Sequence, residues 1–140
     1  MTMKYYEPKY FRPEEFVPPE VFKQLGEKSL LVMDYRILKT ADTLRNTFGK
    51  ITINNWVFGG QRRYSGFRHA TCVIGAVWSQ HRFGRGIDAL TEKCTPDEAR
   101  KEILAHPDHF PYITVMEDKV EWLHVDCRAI AGSNIILIQP

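Results

Sequence analysis

The chain has 140 residues, enough for one domain that buries roughly two thirds of its unfolded surface without disulfide staples. Apolar residues make up 44% and charged residues 26%, which excludes the depleted composition of a disordered segment. With a formal net charge of +2 and Lys and Arg dispersed along the chain, no basic tract of the kind nucleic acid requires is present, and no nucleic-acid partner is expected.

In chain order, residues 1–20 hold Tyr5, Tyr6, Tyr10, Phe11 and Phe16 among Pro8, Pro13, Pro18 and Pro19, predicting an extended arm pinned to the body by its rings. From Ser29 to Phe48, Leu30, Met33, Ile37, Leu38, Ala41, Leu44 and Phe48 recur at threes and fours, and Gly49 closes the pattern, predicting a helix. Ile51 to Trp56 reads as a strand, after which Gly59 and Gly60 open a polar connection through Gln61, Arg62, Arg63 and Arg68. Arg62 and Arg63 read as surface charge. Thr95-Pro96-Asp97-Glu98 is a capping box with Pro at the first helical position, and the helix it starts ends near Pro107. Tyr112 to Val115, Val120 to Cys127 and Ile135 to Ile138 read as strands, the first two parted by a turn at Glu117-Asp118-Lys119. Two helices followed mostly by strands predict a single α+β domain over residues 1–140, its helices packed on one face of a mainly antiparallel sheet.

Cys72, Cys94 and Cys127 form no CxxC pair and are expected to be buried free thiols. The first residues, MTMKYYEPKYFRPEEF, lack the apolar core of a signal peptide, and no run is long enough to span a bilayer. The expectation is therefore a product of the cytoplasm, with no membrane insertion.

The chemistry concentrates in two segments. Ser79-Gln80-His81-Arg82-Phe83-Gly84-Arg85-Gly86-Ile87-Asp88 sets an imidazole and a carboxylate around two glycines, which favour a turn folding back into a strand that carries Asp88. Zinc takes such nitrogen and oxygen ligands, typically three from the protein in a catalytic site. Glu121-Trp122-Leu123-His124-Val125-Asp126 lies on a predicted strand whose alternation turns Trp122, His124 and Asp126 to one face. His124 is the candidate third ligand, and Asp126 a candidate to steady an imidazole from behind. Glu121 has the opposite parity, so it reaches the same site only if the strand bends or begins between it and His124.

These residues, Ser79, His81, Gly84 and Asp88 followed by Glu121, Trp122 and His124, resemble the zinc D-alanyl-D-alanine peptidase family. That family includes vancomycin-resistance dipeptidases, D,D-carboxypeptidases and phage L-alanyl-D-glutamate endolysins, and it shares a fold with the Hedgehog signalling domain. Ser65-Gly66-Phe67-Arg68 resembles its SG-aromatic-R motif. Three motifs in order span Ser65 to Asp126, close to half the chain. Gly86 stands where the family commonly has Ala, and the stretch between Arg68 and Ser79 is more apolar than in many relatives.

The resemblance implies a Hedgehog/DD-peptidase-like fold and one Zn2+ held by His81, Asp88 and His124. It also implies Glu121 as catalytic base, Arg68 as the group that binds and polarises substrate, and Ser79 as a contact to the substrate backbone. The implied reaction is metal-assisted hydrolysis of stem-peptide bonds in peptidoglycan, either L-Ala-D-Glu or terminal D-Ala, by a monomer of bacterial, phage or prophage origin that reaches the wall by non-standard export or lysis. The competing reading is a metal-binding structural or interaction module that keeps the fold without turnover. His69, His106 and His109 are expected to take no part in the metal site, and Cys127 to be buried rather than ligating.

Overall fold

A computed structural model describes residues 5–140. It contains three α-helices, α1 (Pro19–Leu25), α2 (Tyr35–Phe48) and α3 (Pro96–Ala105), and five strands, β1 (Ile51–Thr52), β2 (Gly86–Thr91), β3 (Val115–Glu117), β4 (Leu123–Asp126) and β5 (Ile136–Ile138). The strands form one mixed sheet in the order β1-β2-β4-β3-β5, antiparallel at every pair except β3 with β5. The class is α+β, as the order of the predicted elements implies.

Strand alternation divides this sheet into two chemically different faces. Ile87 and Ala89 pair with Val125 and Leu123, and Met116 pairs with Val125, so these five share one face. That face joins a buried cluster with Ile37, Leu38, Ala41 and Leu44 of α2 and Ala99 and Ile103 of α3. Each Ile, Leu, Val or Met among them contributes about 1.5–3 kcal/mol on leaving water, and each Ala less. The opposite face carries Gly86 against Asp126 and Asp88 against His124, so the register of a single strand pair places two candidate ligands side by side.

Several boundaries differ from expectation for identifiable reasons. The predicted helix from Ser29 begins instead at Tyr35, because Asp34 is extended and its carboxylate accepts from Arg36 N at 2.9 Å as an N-cap; residues before it form a 3-10 turn, Gly26–Val32. The arm ends in the unpredicted α1, started by Pro19, while Phe11 and Phe16 are buried as expected; residues 1–4 of the predicted arm lie outside the described residues. The strand read over Ile51–Trp56 shrinks to Ile51–Thr52, and the one read over Tyr112–Val115 shifts to Val115–Glu117. The capping box of α3 forms as read, with Thr95 N donating to Glu98 Oε2 at 2.8 Å and Glu98 N to Thr95 Oγ1 at 3.1 Å. Cys72 and Cys127 are buried free thiols, whereas Cys94 is half-buried.

Candidate metal centre

Three short segments build the centre, and each is shaped by its own sequence. His81 sits in a 3-10 turn, Gln80–Phe83, capped in front by the Ser79 hydroxyl, which accepts from His81 N at 3.3 Å. Gly84 ends the turn in the left-handed region at φ 66, and a Cβ there would lie 2.0 Å from Val32 O, so only glycine fits. The chain then enters β2, which delivers Asp88 opposite His124 of β4. Glu121 precedes the start of β4 at Leu123, so the strand begins between Glu121 and His124.

The Ser65-Gly66-Phe67-Arg68 stretch is a strut along this site. Ser65 O accepts from Asp88 N at 2.7 Å, Gly66 O from His81 Nδ1 at 2.7 Å, and Arg68 N donates to His81 O at 3.1 Å. Gly66 is required because a Cβ would meet Phe16 O at 2.2 Å, where Phe67 N bonds the same carbonyl. The Arg68 guanidinium donates from Nη2 to Asp88 Oδ2 at 3.3 Å and from Nε to Tyr64 O at 2.8 Å. All three ligand candidates, His81, Asp88 and His124, are buried.

The polar atoms of this cluster converge. His81 Nε2 lies 3.3 Å and His124 Nδ1 2.8 Å from Asp88 Oδ1, and the three residues each offer a ligand atom within 4.8 Å of the others. A tetrahedral ion with ligands near 2.0–2.1 Å asks for donors about 3.3 Å apart. The outward nitrogens are committed elsewhere. A carbonyl only accepts, so His81 Nδ1 carries a proton toward Gly66 O, while His124 Nε2 donates to Asp126 Oδ2 at 2.9 Å. Asp126 is fully buried and gripped by the Arg128 fork, Nε to Oδ1 at 2.8 Å and Nη2 to Oδ2 at 2.5 Å. This arrangement of carboxylate or carbonyl behind an imidazole fixes the tautomer and raises the basicity of the nitrogen facing the ion. The donor set therefore fits a metal ion.

Charge is balanced locally. Burial pushes the Asp88 carboxyl up, but hydrogen bonds and charge from His124 and His81 outweigh it and hold Asp88 well below the usual carboxylate range. Burial likewise pushes His124 down, and its bonds to Asp126 and Asp88 override this and raise it to about 9. Asp126 is held low despite burial by Arg128 and His124.

Around the centre runs a cleft whose lining includes Arg68, Ser79, Gln80, Glu117, Trp122 and Arg128. Glu121 is exposed and is not among the residues lining it. Glu117 does line it, because β3 continues two residues further than predicted and turns this carboxylate to the ligand face of the sheet. Arg62 is corrected from surface charge to half-buried support: its guanidinium donates to Ile53 O at 2.9 Å and Asp88 O at 3.2 Å. A strand register could reveal Glu117 and a three-dimensional contact Arg62; spacing along the chain reveals neither. His69 pairs with Glu20 at 2.8 Å, and His106 stacks on His109 away from the cleft.

No protein-family model, no curated protein and no solved structure matches the chain.

Proposed function

We propose that the chain is a zinc-dependent peptidase of the Hedgehog/DD-peptidase fold that hydrolyses stem-peptide bonds of bacterial peptidoglycan. The observation that carries this reading is the buried His81–Asp88–His124 set, with its facing atoms convergent and both outward imidazole nitrogens already bonded. Two imidazoles and one carboxylate suit zinc, and all three residues line a cleft that a substrate could enter. Zinc held there would polarise a scissile carbonyl and acidify a water.

The protein's own groups do the rest. Gly66 O and Asp126 fix the outward nitrogens of His81 and His124 and so turn the other nitrogen of each ring toward Asp88, where a bound ion would displace the His124 Nδ1 proton. Arg68 brings a fixed positive charge to the cleft beside Asp88, suited to a developing oxyanion or a substrate carboxylate. Ser79 holds the His81 turn and offers its hydroxyl at the cleft edge. Glu121, three residues before His124 as in the resembling family, would take a proton from the attacking water and return it to the leaving amine once its exposed side chain turns into the cleft.

The test is release of free amino groups from purified Gram-negative peptidoglycan by metal-replete protein, with products identified by mass. Activity is expected to vanish on chelation and to fall about a hundredfold to ten-thousandfold in Glu121→Ala. A second reading, a non-catalytic metal module, draws on the exposure of Glu121 outside the cleft lining. One bound zinc per chain with no products from walls, muropeptides or dipeptides would establish it. Glu117→Gln belongs in the same assay: loss there with an active Glu121→Ala would transfer the proton-handling role to Glu117.

A further inference from the structure

The connection from Ala70 to Ser79 contains no charged residue, and it turns its apolar side chains outward: Val73 is 92% exposed, Val77 70% and Trp78 78%. An exposed apolar loop is normally loose, but this one is clasped from beneath by a single arginine. Arg82 donates to His69 O at 3.2 Å, Ala70 O at 2.9 Å, Cys72 O at 2.6 Å and Ala76 O at 3.1 Å. Three loop carbonyls, those of Ala70, Cys72 and Ala76, are thus satisfied by a side chain rather than by water, which lowers the cost of bringing this irregular backbone to an apolar medium. Along the sequence that flanks the loop, charge has one sign. From Gln61 to Ile87 the sequence has Arg62, Arg63, Arg68, Arg82 and Arg85 and neither Asp nor Glu. Directly after the clasp, Phe83 is exposed with the Arg85 guanidinium 5.0 Å from its ring centroid, a second aromatic and cationic pair.

We propose that the loop Ala70–Ser79 is a membrane-docking tip that seats Val73, Val77 and Trp78 in the interfacial layer of an anionic phospholipid bilayer. The uncharged tip suits the acyl boundary, a tryptophan suits the headgroup level, and Arg85 beside the exposed Phe83 supplies positive charge for anionic lipid. This is shallow seating at a surface, distinct from insertion of a spanning segment; no helix among the described residues is long and apolar enough to cross a membrane. Ile74 and Trp78 also line the cleft, so docking brings the mouth of the metal centre to the bilayer surface. The inference is independent of turnover and stands or falls apart from the peptidase reading.

The experiment is co-sedimentation of the full chain with vesicles of phosphatidylcholine alone or of phosphatidylcholine with phosphatidylglycerol, beside the double variant Val73→Ser with Val77→Ser. These two valines lie outside the cleft lining, so circular dichroism and metal content of the variant control for folding. Binding is expected to anionic vesicles, with a blue-shifted tryptophan emission that is quenched by brominated lipid. The half-saturating lipid concentration should rise at least about tenfold in the variant, since two buried valines are lost from the contact. Arg85→Gln should narrow the preference for anionic over neutral vesicles. Absence of vesicle binding, or equal binding by the double variant, overturns the proposal. Concentration-dependent dimerisation lost in the variant, without vesicle binding, would assign the tip to a second copy of the chain. Retention on insoluble cell wall lost in the variant, again without vesicle binding, would assign it to the polymer.

Discussion

At Gly86 the space for a side chain is present and unused. A Cβ there would meet Gln80 Cβ and His124 Cε1 at 3.4 Å and Asp126 Cβ at 3.5 Å, ordinary van der Waals contact, and its φ lies outside the left-handed region. Gly86→Ala is therefore expected to raise stability by about 0.4–1 kcal/mol, chiefly by restricting the unfolded chain, with metal affinity unchanged. Urea denaturation checks the first and a chelator competition the second. Two residues earlier, Gly84→Ala should do the opposite and cost more than about 1 kcal/mol, because its φ of 66 and the approach to Val32 O both forbid a side chain. Behind the ligands, Asp126→Asn keeps the shape of the residue and removes the charge that orients His124 and anchors Arg128. It should weaken metal binding about 10–100-fold while circular dichroism stays native. An unchanged affinity would mean that Asp126 serves only the fold.

Elements show where local sequence stops being a sufficient guide. The capping box at Thr95 was legible because its two bonds join residues three apart, and the turn from Ser79 to Gly84 because its cap and its glycine are both local. The strand read from Val120 to Cys127 was too long for a reason that lies on another element. Arg100 of α3, itself buried, donates to Val120 O at 3.2 Å and Trp122 O at 3.1 Å, holding this stretch as a turn. Leu30 and Met33 kept helical spacing ahead of α2 because Leu30 faces the core from the 3-10 turn and Met33 from the extended residue that ends it, and periodicity reports burial without distinguishing these from a helix. The arm depends on such remote bonds as well: Asp42 of α2 accepts from Tyr6 Oη at 2.5 Å and from Lys9 N at 2.9 Å. Burial, and then the bond and charge of Asp42, push the Tyr6 hydroxyl up to about 12. A folded value above the unfolded one, near 10, means stability that is complete below pH 10 and lost as pH rises through 12. Tyr6→Phe should therefore destabilise at neutral pH by about 1 kcal/mol, with its deficit shrinking between pH 10 and 12. Chemical denaturation of both proteins across that window reads the difference.

Over the whole molecule, the candidate ligands tie together parts that are distant in sequence. His81 comes from the turn after the docking loop, Asp88 from β2 and His124 from β4, and their carriers are fixed by the Ser65–Arg68 strut and by pairing between strands. An unfolded chain cannot hold three such groups within a few ångströms, so an ion that binds them binds the folded state almost alone. The stabilisation follows from mass action and reaches about 4 kcal/mol at a thousandfold excess over the dissociation constant. For a chain of this size each kcal/mol is worth about 3–4 °C, so saturating zinc should raise the melting temperature by about 10 °C or more. Removal by a chelator should return it. His81→Ala breaks the ligand set while leaving β2 and β4 paired, so its melting temperature should barely respond to zinc. Calorimetry on the four samples separates the alternatives without any substrate: a shift kept in His81→Ala would place the ion elsewhere, and a shift absent from both proteins would leave the cluster as a buried hydrogen-bond network. A shift confined to the native sequence would mean that the same three residues that shape the cleft also couple metal supply to the stability of the fold.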